Sequence, residues 1–278
     1  MDTKKIGFMQ GRLVESINNQ IQCFPKFSWM QELEIAEKVG FELMEWIFDD
    51  YDNPLLTDKH IMSHLCKEHK ITINSICADF FMTHKLFSES ESELDKNLNI
   101  LQNLITNAHE LGIQIIEIPL VDISSIKNSP SDKAQFCFNL QKAIPIAEKN
   151  NVILNLETDL PANDFRALLL GFSSDIVKAN YDVGNSTSLN YNVNNELIVL
   201  RDLITNIHIK DRLVGGVSVP LGTGNVDFES FFSTLSQIHY AGDFIIQGAR
   251  GNESLISPTE TCVKYKDFVN RYLDKYFK

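Results

Sequence analysis

Ionisable side chains stand at the ends of three short apolar runs in the second half of the chain. The runs end in Asn155-Leu156-Glu157, Tyr181-Asp182-Val183-Gly184-Asn185 and Ile207-His208-Ile209-Lys210-Asp211. Carboxylates and an imidazole are donors that suit Mn²⁺, Mg²⁺ or Co²⁺, and Zn²⁺ also accepts them. A lone histidine of this kind is more often a core residue bonded to a carbonyl oxygen. Because three ligand types follow one another on neighbouring segments, the sequence predicts one divalent-metal site at Glu157, Asp182 and His208.

These segments belong to a regular alternation of apolar runs and longer stretches with helical periodicity. Continuous apolar runs are typical of parallel strands that are buried on both faces. We predict eight strands near Lys5–Met9, Leu43–Phe48, Thr72–Ala78, Gln114–Leu120, Val152–Leu156, Val177–Tyr181, Ile204–Ile209 and Phe244–Gln247. We predict helices over Trp29–Val39, Ser90–Leu111, Asp132–Asn150, Asp227–Ile238 and Thr259–Phe277. Within the third helix, Pro145 is expected to cause a kink or a break.

Eight strand–helix units without an intervening linker predict an α/β fold, a single-domain (β/α)8 TIM barrel over residues 1–278. A doubly wound sheet would require a glycine-rich phosphate turn after the first strand. The chain has Met9-Gln10-Gly11-Arg12 there instead. The active site of a barrel lies at the carboxyl ends of its strands. Polar groups stand at or just after these ends at Gln10, Glu45, Asp49, Asp79, Glu117, Glu157, Asp182, His208 and Gln247.

The composition of the chain limits the classes of partner that are expected. The 278 residues carry a formal net charge of −12 and contain no cluster of basic residues, which argues against nucleic acid as a partner. No apolar run is long enough for a membrane span, so no membrane partner is expected. The five cysteines are widely spaced without a CxxC pair, which favours a reducing cytoplasm over a disulfide framework. A homo-oligomer is compatible with this composition but is not specified by it.

The motifs at the strand ends, together with Gly222-Thr223-Gly224-Asn225-Val226-Asp227-Phe228, resemble the xylose isomerase-like barrel superfamily over essentially the whole chain. This superfamily includes sugar and sugar-phosphate isomerases and 3-epimerases, inosose dehydratase, hydroxypyruvate isomerase and endonuclease IV. The resemblance implies one divalent metal held by a Glu, an Asp, a His and a final Glu. The first three match Glu157, Asp182 and His208, whereas Gln247 stands in the place of the fourth.

The departure at Gln247 bears on the chemistry. A glutamine carbonyl can ligate a metal but cannot take a proton, so the two-base epimerisation that the family's fourth Glu serves is not available in that form. Endonuclease IV chemistry is not expected either, because Asn185 stands where a further histidine of its zinc cluster would be and the net charge of −12 opposes DNA binding.

The resemblance implies a metal-dependent isomerase or epimerase of a sugar or sugar phosphate, with Mn²⁺ as the first choice of metal. Glu157 is expected to be the metal-bound base, and Lys210 a second catalytic group. A second acid could also come from Asp79 or Glu117. Two other functions stay open, a dehydratase of a keto-polyol and a non-catalytic barrel that binds a sugar derivative. The residues expected to bind substrate are Gln10, Arg12, Glu45, Asp79, Glu117, Asn185, Asp211 and Arg250.

Two groups of residues near the barrel rim allow two interpretations each. Lys210, Asp211 and Arg250 could hold substrate hydroxyls, a carboxylate or a phosphate. They could equally form ion pairs that join the loops of the barrel. The turn Pro220-Leu221-Gly222-Thr223-Gly224-Asn225 could bind a phosphate through its backbone, or it could be a plain tight turn before a helix capped by Asp227.

Overall fold

Eight parallel strands close into a barrel in the computed structural model, which describes residues 4–277. The strands are β1 Ile6–Met9, β2 Leu43–Ile47, β3 Thr72–Cys77, β4 Ile115–Leu120, β5 Ile153–Thr158, β6 Val177–Asp182, β7 Ile204–Ile209 and β8 Phe244–Ile246. Each strand pairs in parallel with its neighbours in the chain, and β8 pairs with β1 to close the barrel. The predicted (β/α)8 barrel is therefore confirmed.

Twelve α-helices accompany the strands in the described part of the chain. They are α1 Trp29–Lys38, α2 Pro54–Thr57, α3 Lys59–Glu68, α4 Phe80–Thr83, α5 Glu91–Leu111, α6 Pro130–Gln141, α7 Ile144–Asn150, α8 Ala162–Gly171, α9 Val183–Ser188, α10 Val193–Leu200, α11 Phe228–Gln237 and α12 Pro258–Tyr276. The segment predicted as one helix over Asp132–Asn150 is divided between α6 and α7. Pro145 lies in the first turn of α7, where its missing N–H costs no hydrogen bond. None of these helices is both long and apolar enough to cross a membrane.

Local sequence signals fix where several helices begin and end. Ser90 caps α5 by accepting a hydrogen bond from the Glu93 N–H, and Gly112 ends that helix with φ 75°. Ser257 and Glu260 form a reciprocal capping box at the start of α12. Such caps satisfy N–H groups that a helix end otherwise leaves without a partner.

Side-chain alternation along each strand separates the barrel interior from the layer beneath the helices. In β2, Trp46 packs edge-on against Trp29 of α1, with ring centroids 5.6 Å apart. Its neighbour Glu45 points the opposite way and bonds to β7 across the barrel. The same alternation places the polar residues described next inside the carboxyl end of the barrel.

Candidate active site

Three ligand-type side chains converge where β5, β6 and β7 end. Glu157, Asp182 and His208 each offer a ligand atom, and these atoms all lie within 4.8 Å of one another. Asp182 and His208 stand opposite each other in the β6–β7 register. All three residues are buried, with exposed fractions of 5%, 3% and 0% respectively. The structure thus brings together the three residues that the sequence predicted as metal ligands.

Two asparagines fix the orientation of the Glu157 carboxylate. Asn180 Nδ2 donates to Glu157 Oε2 at 2.7 Å, and Asn185 Nδ2 donates to Glu157 Oε1 at 2.7 Å. The Asn185 N–H also bonds to Asp182 Oδ1 at 2.8 Å. Asn185, which was predicted to bind substrate, therefore links Glu157 to Asp182. Its own side-chain oxygen accepts from Arg212 Nη1 at 2.8 Å.

His208 lies between two carboxylates. Its Nε2 is 2.6 Å from Glu45 Oε1, and its Nδ1 is 3.1 Å from Glu157 Oε2. Burial alone would lower the pKa of His208, but Glu45 and Glu157 outweigh it and hold the pKa well above the usual value. Burial alone would raise the pKa of Glu157, but the contacts with His208, Lys210 and Asn180 outweigh it and bring the pKa of Glu157 below its usual value. Glu157 is therefore ionised near neutral pH.

Lys210 forms an ion pair with Asp182. Its Nζ lies 2.7 Å from Asp182 Oδ2, and both side chains are largely buried. Burial lowers the pKa of Lys210, but Asp182 and Glu157 more than offset that effect and raise it. The ammonium group is therefore positively charged near neutral pH, and a charged ammonium can donate a proton but cannot accept one.

Glu117 lies deeper in the barrel. It is 1% exposed, and its Oε2 has no hydrogen-bond partner among the described residues. Burial and the charge on Glu157 raise the pKa of Glu117 well above its usual value. Glu117, Glu45 and His208 form a second cluster with ligand atoms within 4.8 Å of one another. The Glu45 oxygens there already accept bonds from His208, Ser75 and Asn206.

A glutamine that the sequence analysis did not single out lies at the mouth of the barrel. Gln22 Nε2 donates to Asp79 Oδ2 at 2.7 Å, while Gln22 Oε1 accepts from Gln247 Nε2 at 2.9 Å and from Arg12 Nη2 at 3.2 Å. The available signal was the length of the segment over residues 10–28 between β1 and α1, since long connections in compact domains are often functional.

Three other predicted substrate contacts are bonded within the protein. Asp211 accepts hydrogen bonds from the backbone N–H groups of Gly222, Gly224 and Val226. Arg250 donates to the carbonyl oxygens of Gly11, Val14 and Ile21 and to Glu253. Gln10 is buried, accepts from the Ile47 N–H at 3.0 Å, and has an Nε2 without a partner among the described residues. Their contact with substrate stays a prediction.

Comparison with known proteins identifies the family to which this barrel belongs. The family described as "Xylose isomerase-like TIM barrel" matches residues 33–260. The chain belongs to this family. It is 26% identical over 259 residues to the L-ribulose-5-phosphate 3-epimerase UlaE of Escherichia coli (strain SMS-3-5 / SECEC), covering 89% of this chain and 90% of the relative.

Solved structures of other proteins share the fold. An L-ribulose 3-epimerase superposes with a TM-score of 0.78 at 18% identity, covering 98% of this chain and 95% of the other. The IOLI protein with a binding zinc atom superposes with a TM-score of 0.77 at 16% identity, covering 99% of both chains. Similarity at this level of identity supports the fold.

The donors of this xylose isomerase-like barrel fit a divalent cation. Gln247 turns its Nε2 towards Gln22, and its buried Oε1 has no hydrogen-bond partner among the described residues. A buried carbonyl oxygen without a partner is costly unless something binds it. Glu157 and Asp182 place two buried carboxylates beside His208, with ligand atoms within 4.8 Å of one another. Glu157, Asp182 and His208 therefore suit a divalent cation, and Gln247 Oε1 is a further oxygen donor without a partner among the described residues.

Proposed function

We propose that this chain is a divalent-metal-dependent isomerase or epimerase that moves a proton next to the carbonyl group of a sugar or sugar phosphate. The observation that carries the proposal is the convergence of Glu157, Asp182 and His208 within 4.8 Å at the carboxyl end of a xylose isomerase-like barrel. The names of its relatives support the reaction class, since they include an L-ribulose-5-phosphate 3-epimerase and an L-ribulose 3-epimerase. A small sugar is the partner that follows from this chemistry.

The proposed cofactor is one divalent ion held by Glu157, Asp182, His208 and Gln247. When bound, the ion would polarise the substrate carbonyl and so acidify the adjacent C–H group. Mn²⁺ is our first choice because carboxylate, amide and imidazole donors suit it, and Mg²⁺, Co²⁺ and Zn²⁺ remain candidates. The IOLI protein, which shares this fold, is described with a binding zinc atom, and this supports a divalent cation in the proposal.

Glu157 is the proposed base. Its pKa lies below the usual value, so it begins the reaction as a carboxylate that can accept the C–H proton. Asn180 and Asn185 hold both of its oxygens and so aim the carboxylate. Lys210 cannot share this role, because its raised pKa keeps it protonated. Lys210 therefore supplies positive charge or a proton as the substrate oxygen becomes negative.

The reaction type depends on whether a second proton-transfer group exists. Gln247 cannot accept a proton, so Glu157 alone would return the proton on the face from which it was removed, which gives a 1,2-isomerisation. Epimerisation requires an acid on the opposite face. Asp79 is a candidate for it, since it lies at the barrel mouth and burial raises its pKa above the usual value.

Proton NMR in D₂O with Mn²⁺ tests the proposal on a panel of ketoses and their terminal phosphates. We expect solvent deuterium at the carbon next to the carbonyl, and loss of that exchange in Glu157→Gln. Glu91→Gln, on the exposed first turn of α5, is the matched control and should retain exchange. Exchange that survives in Glu157→Gln would exclude this residue as the base. A product that has lost water would identify a dehydratase instead.

A further inference from the structure

The side chain of Gln22 fills a site built from Arg12, Asp79 and Gln247, here called the amide cradle. Arg12 and Gln247 donate to its oxygen, and Asp79 accepts from its nitrogen. We infer that the amide cradle is the subsite for the hydroxylated end of a non-phosphorylated ketose, and that Gln22 occupies it in the absence of substrate. This inference rests on the proposed function and narrows its substrate class.

The bonding pattern of the amide cradle matches a neutral ligand. Two donors face one oxygen acceptor, and beside them a carboxylate faces one N–H donor. A carbonyl next to a hydroxyl, or two vicinal hydroxyls, presents the same adjacent acceptor and donor. Both Asp79 oxygens act as acceptors here, from Gln22 Nε2 and from Cys77 Sγ. A phosphate is mainly a dianion near neutral pH, so it would bring a further acceptor to this place.

Arg12, Arg212 and Arg250 follow β1, β7 and β8 at the carboxyl end of the barrel, and each is bonded within the protein. Arg250 donates to three loop carbonyl oxygens and to Glu253. Arg212 donates to the Gly216 carbonyl and to Asn185. Arg12 donates to the Ile21 carbonyl as well as to Gln22. Phosphate recognition commonly uses a guanidinium with two N–H groups directed at the anion. The N–H groups of Arg212 and Arg250 are engaged by the protein, whereas Arg12 directs Nη2–H at the Gln22 oxygen and has a buried Nε without a partner among the described residues.

The backbone N–H groups of the glycine turn after β7 are likewise bonded to a side chain of the same chain. Backbone N–H groups of Gly222, Gly224 and Val226 point at the Asp211 carboxylate. A Cβ at position 224 would collide with that carboxylate, so the close approach requires glycine. Such converging N–H groups could hold a phosphate, but Asp211 takes that place here. The turn therefore organises its own loop.

Catalytic efficiency on matched pairs of substrates tests the inference. Deuterium exchange and product formation by the Mn²⁺-loaded enzyme are compared for two pairs of substrates. The pairs are L-ribulose with L-ribulose 5-phosphate, and D-tagatose with its terminal phosphate. We expect kcat/KM for the better free ketose to exceed that of its phosphate by at least about 100-fold. An equal or higher value for the phosphate overturns the inference and leaves the proposed function intact. No exchange with any sugar of the panel overturns the proposed function itself.

Gln22→Ala tests the occupancy of the amide cradle. Removing an internal ligand that competes with substrate raises the fraction of binding-competent enzyme, so we expect KM for the free ketose to fall about three- to tenfold. Gln20→Ala, exposed on the same connection, should leave KM unchanged. A KM that rises in Gln22→Ala would show that Gln22 contacts substrate directly, and an unchanged KM would show that substrate binds elsewhere. Either result overturns this part of the inference.

Discussion

The Nε2 atom of His208 lies 2.6 Å from Oε1 of Glu45, although the two residues stand on β7 and β2, across the barrel from each other. Ser75 Oγ and Asn206 Nδ2 hold the other oxygen of Glu45 at 2.5 and 2.7 Å. An imidazole that donates its Nε2–H to a carboxylate has Nδ1 as its ligand atom, and a metal binding there would displace the Nδ1 proton. Glu45, predicted as a substrate contact, is better suited to orient His208.

Glu45→Gln is expected to weaken Mn²⁺ binding. Loss of the carboxylate beside a metal-binding histidine typically costs 10- to 100-fold in metal affinity, because the ring loses its fixed tautomer and orientation. Isothermal titration of the metal-free protein with MnCl₂ measures the Kd. Glu34→Gln, on the exposed face of α1, is the control. An unchanged Kd in Glu45→Gln would mean that His208 is oriented by other contacts.

Gln247→Glu is expected to tighten Mn²⁺ binding by about tenfold, because a carboxylate is a charged and stronger ligand than an amide oxygen. Gln247→Leu should weaken binding, since the oxygen that lacks a partner in the barrel is then removed. The same titration measures both. If neither substitution alters the Kd for Mn²⁺, Gln247 does not belong to the ligand set.

The strands of the barrel could be predicted because they are continuous apolar runs. The predicted bounds of β7, Ile204–Ile209, match the structure at both ends, and the other strands differ by no more than two residues at either end. Residues at the ends of neighbouring parallel strands must lie close together. This alone brought Glu157, Asp182 and His208 into one predicted cluster.

The polar residues that support the predicted ligands could not be predicted from the strand ends alone. Asn180 and Asn206 each stand two positions before a predicted ligand, and alternation places such residues on the same face of the strand. That signal was present in the sequence. No comparable pattern in the sequence indicated where the side chain of Gln22 would lie, because the segment over residues 10–28 has no periodic structure. The partners of Asp211 and Arg250 also depend on loop backbone geometry, which residue types alone do not determine.

Arg250→Ala is expected to destabilise the fold more than it changes substrate binding. The guanidinium joins the connection after β1 to the segment after β8 through three carbonyl oxygens and Glu253. Hydrogen bonds from a buried charged group each contribute roughly 1.5–3 kcal/mol, so we expect a loss of about 2–4 kcal/mol in the free energy of unfolding. Urea denaturation measures it. Arg201→Ala, at an exposed position, is the control. Unchanged stability with a KM raised more than tenfold would instead support the predicted substrate contact.

Glu32 makes the stability of the barrel depend on pH. It is fully buried in α1, and its oxygens accept from the N–H groups of Gly11 and Leu13 at 2.8 and 3.0 Å. Burial raises the pKa of Glu32 from 4.5 to about 7 against the opposing effect of these bonds. The folded state thus favours the protonated acid. Its contribution to stability is fully present below about pH 4.5 and is lost as the pH rises through about 7.

Glu32→Gln removes this titration and isolates its effect. A shift of that size corresponds to about 3 kcal/mol, so the free energy of unfolding of the unsubstituted protein should fall by about that amount relative to the variant between pH 4.5 and pH 8. The variant loses one backbone acceptor and begins less stable at low pH. The difference between the two proteins should therefore shrink or reverse as the pH rises. Urea denaturation across this range measures it, and a constant difference would mean that Glu32 remains ionised throughout.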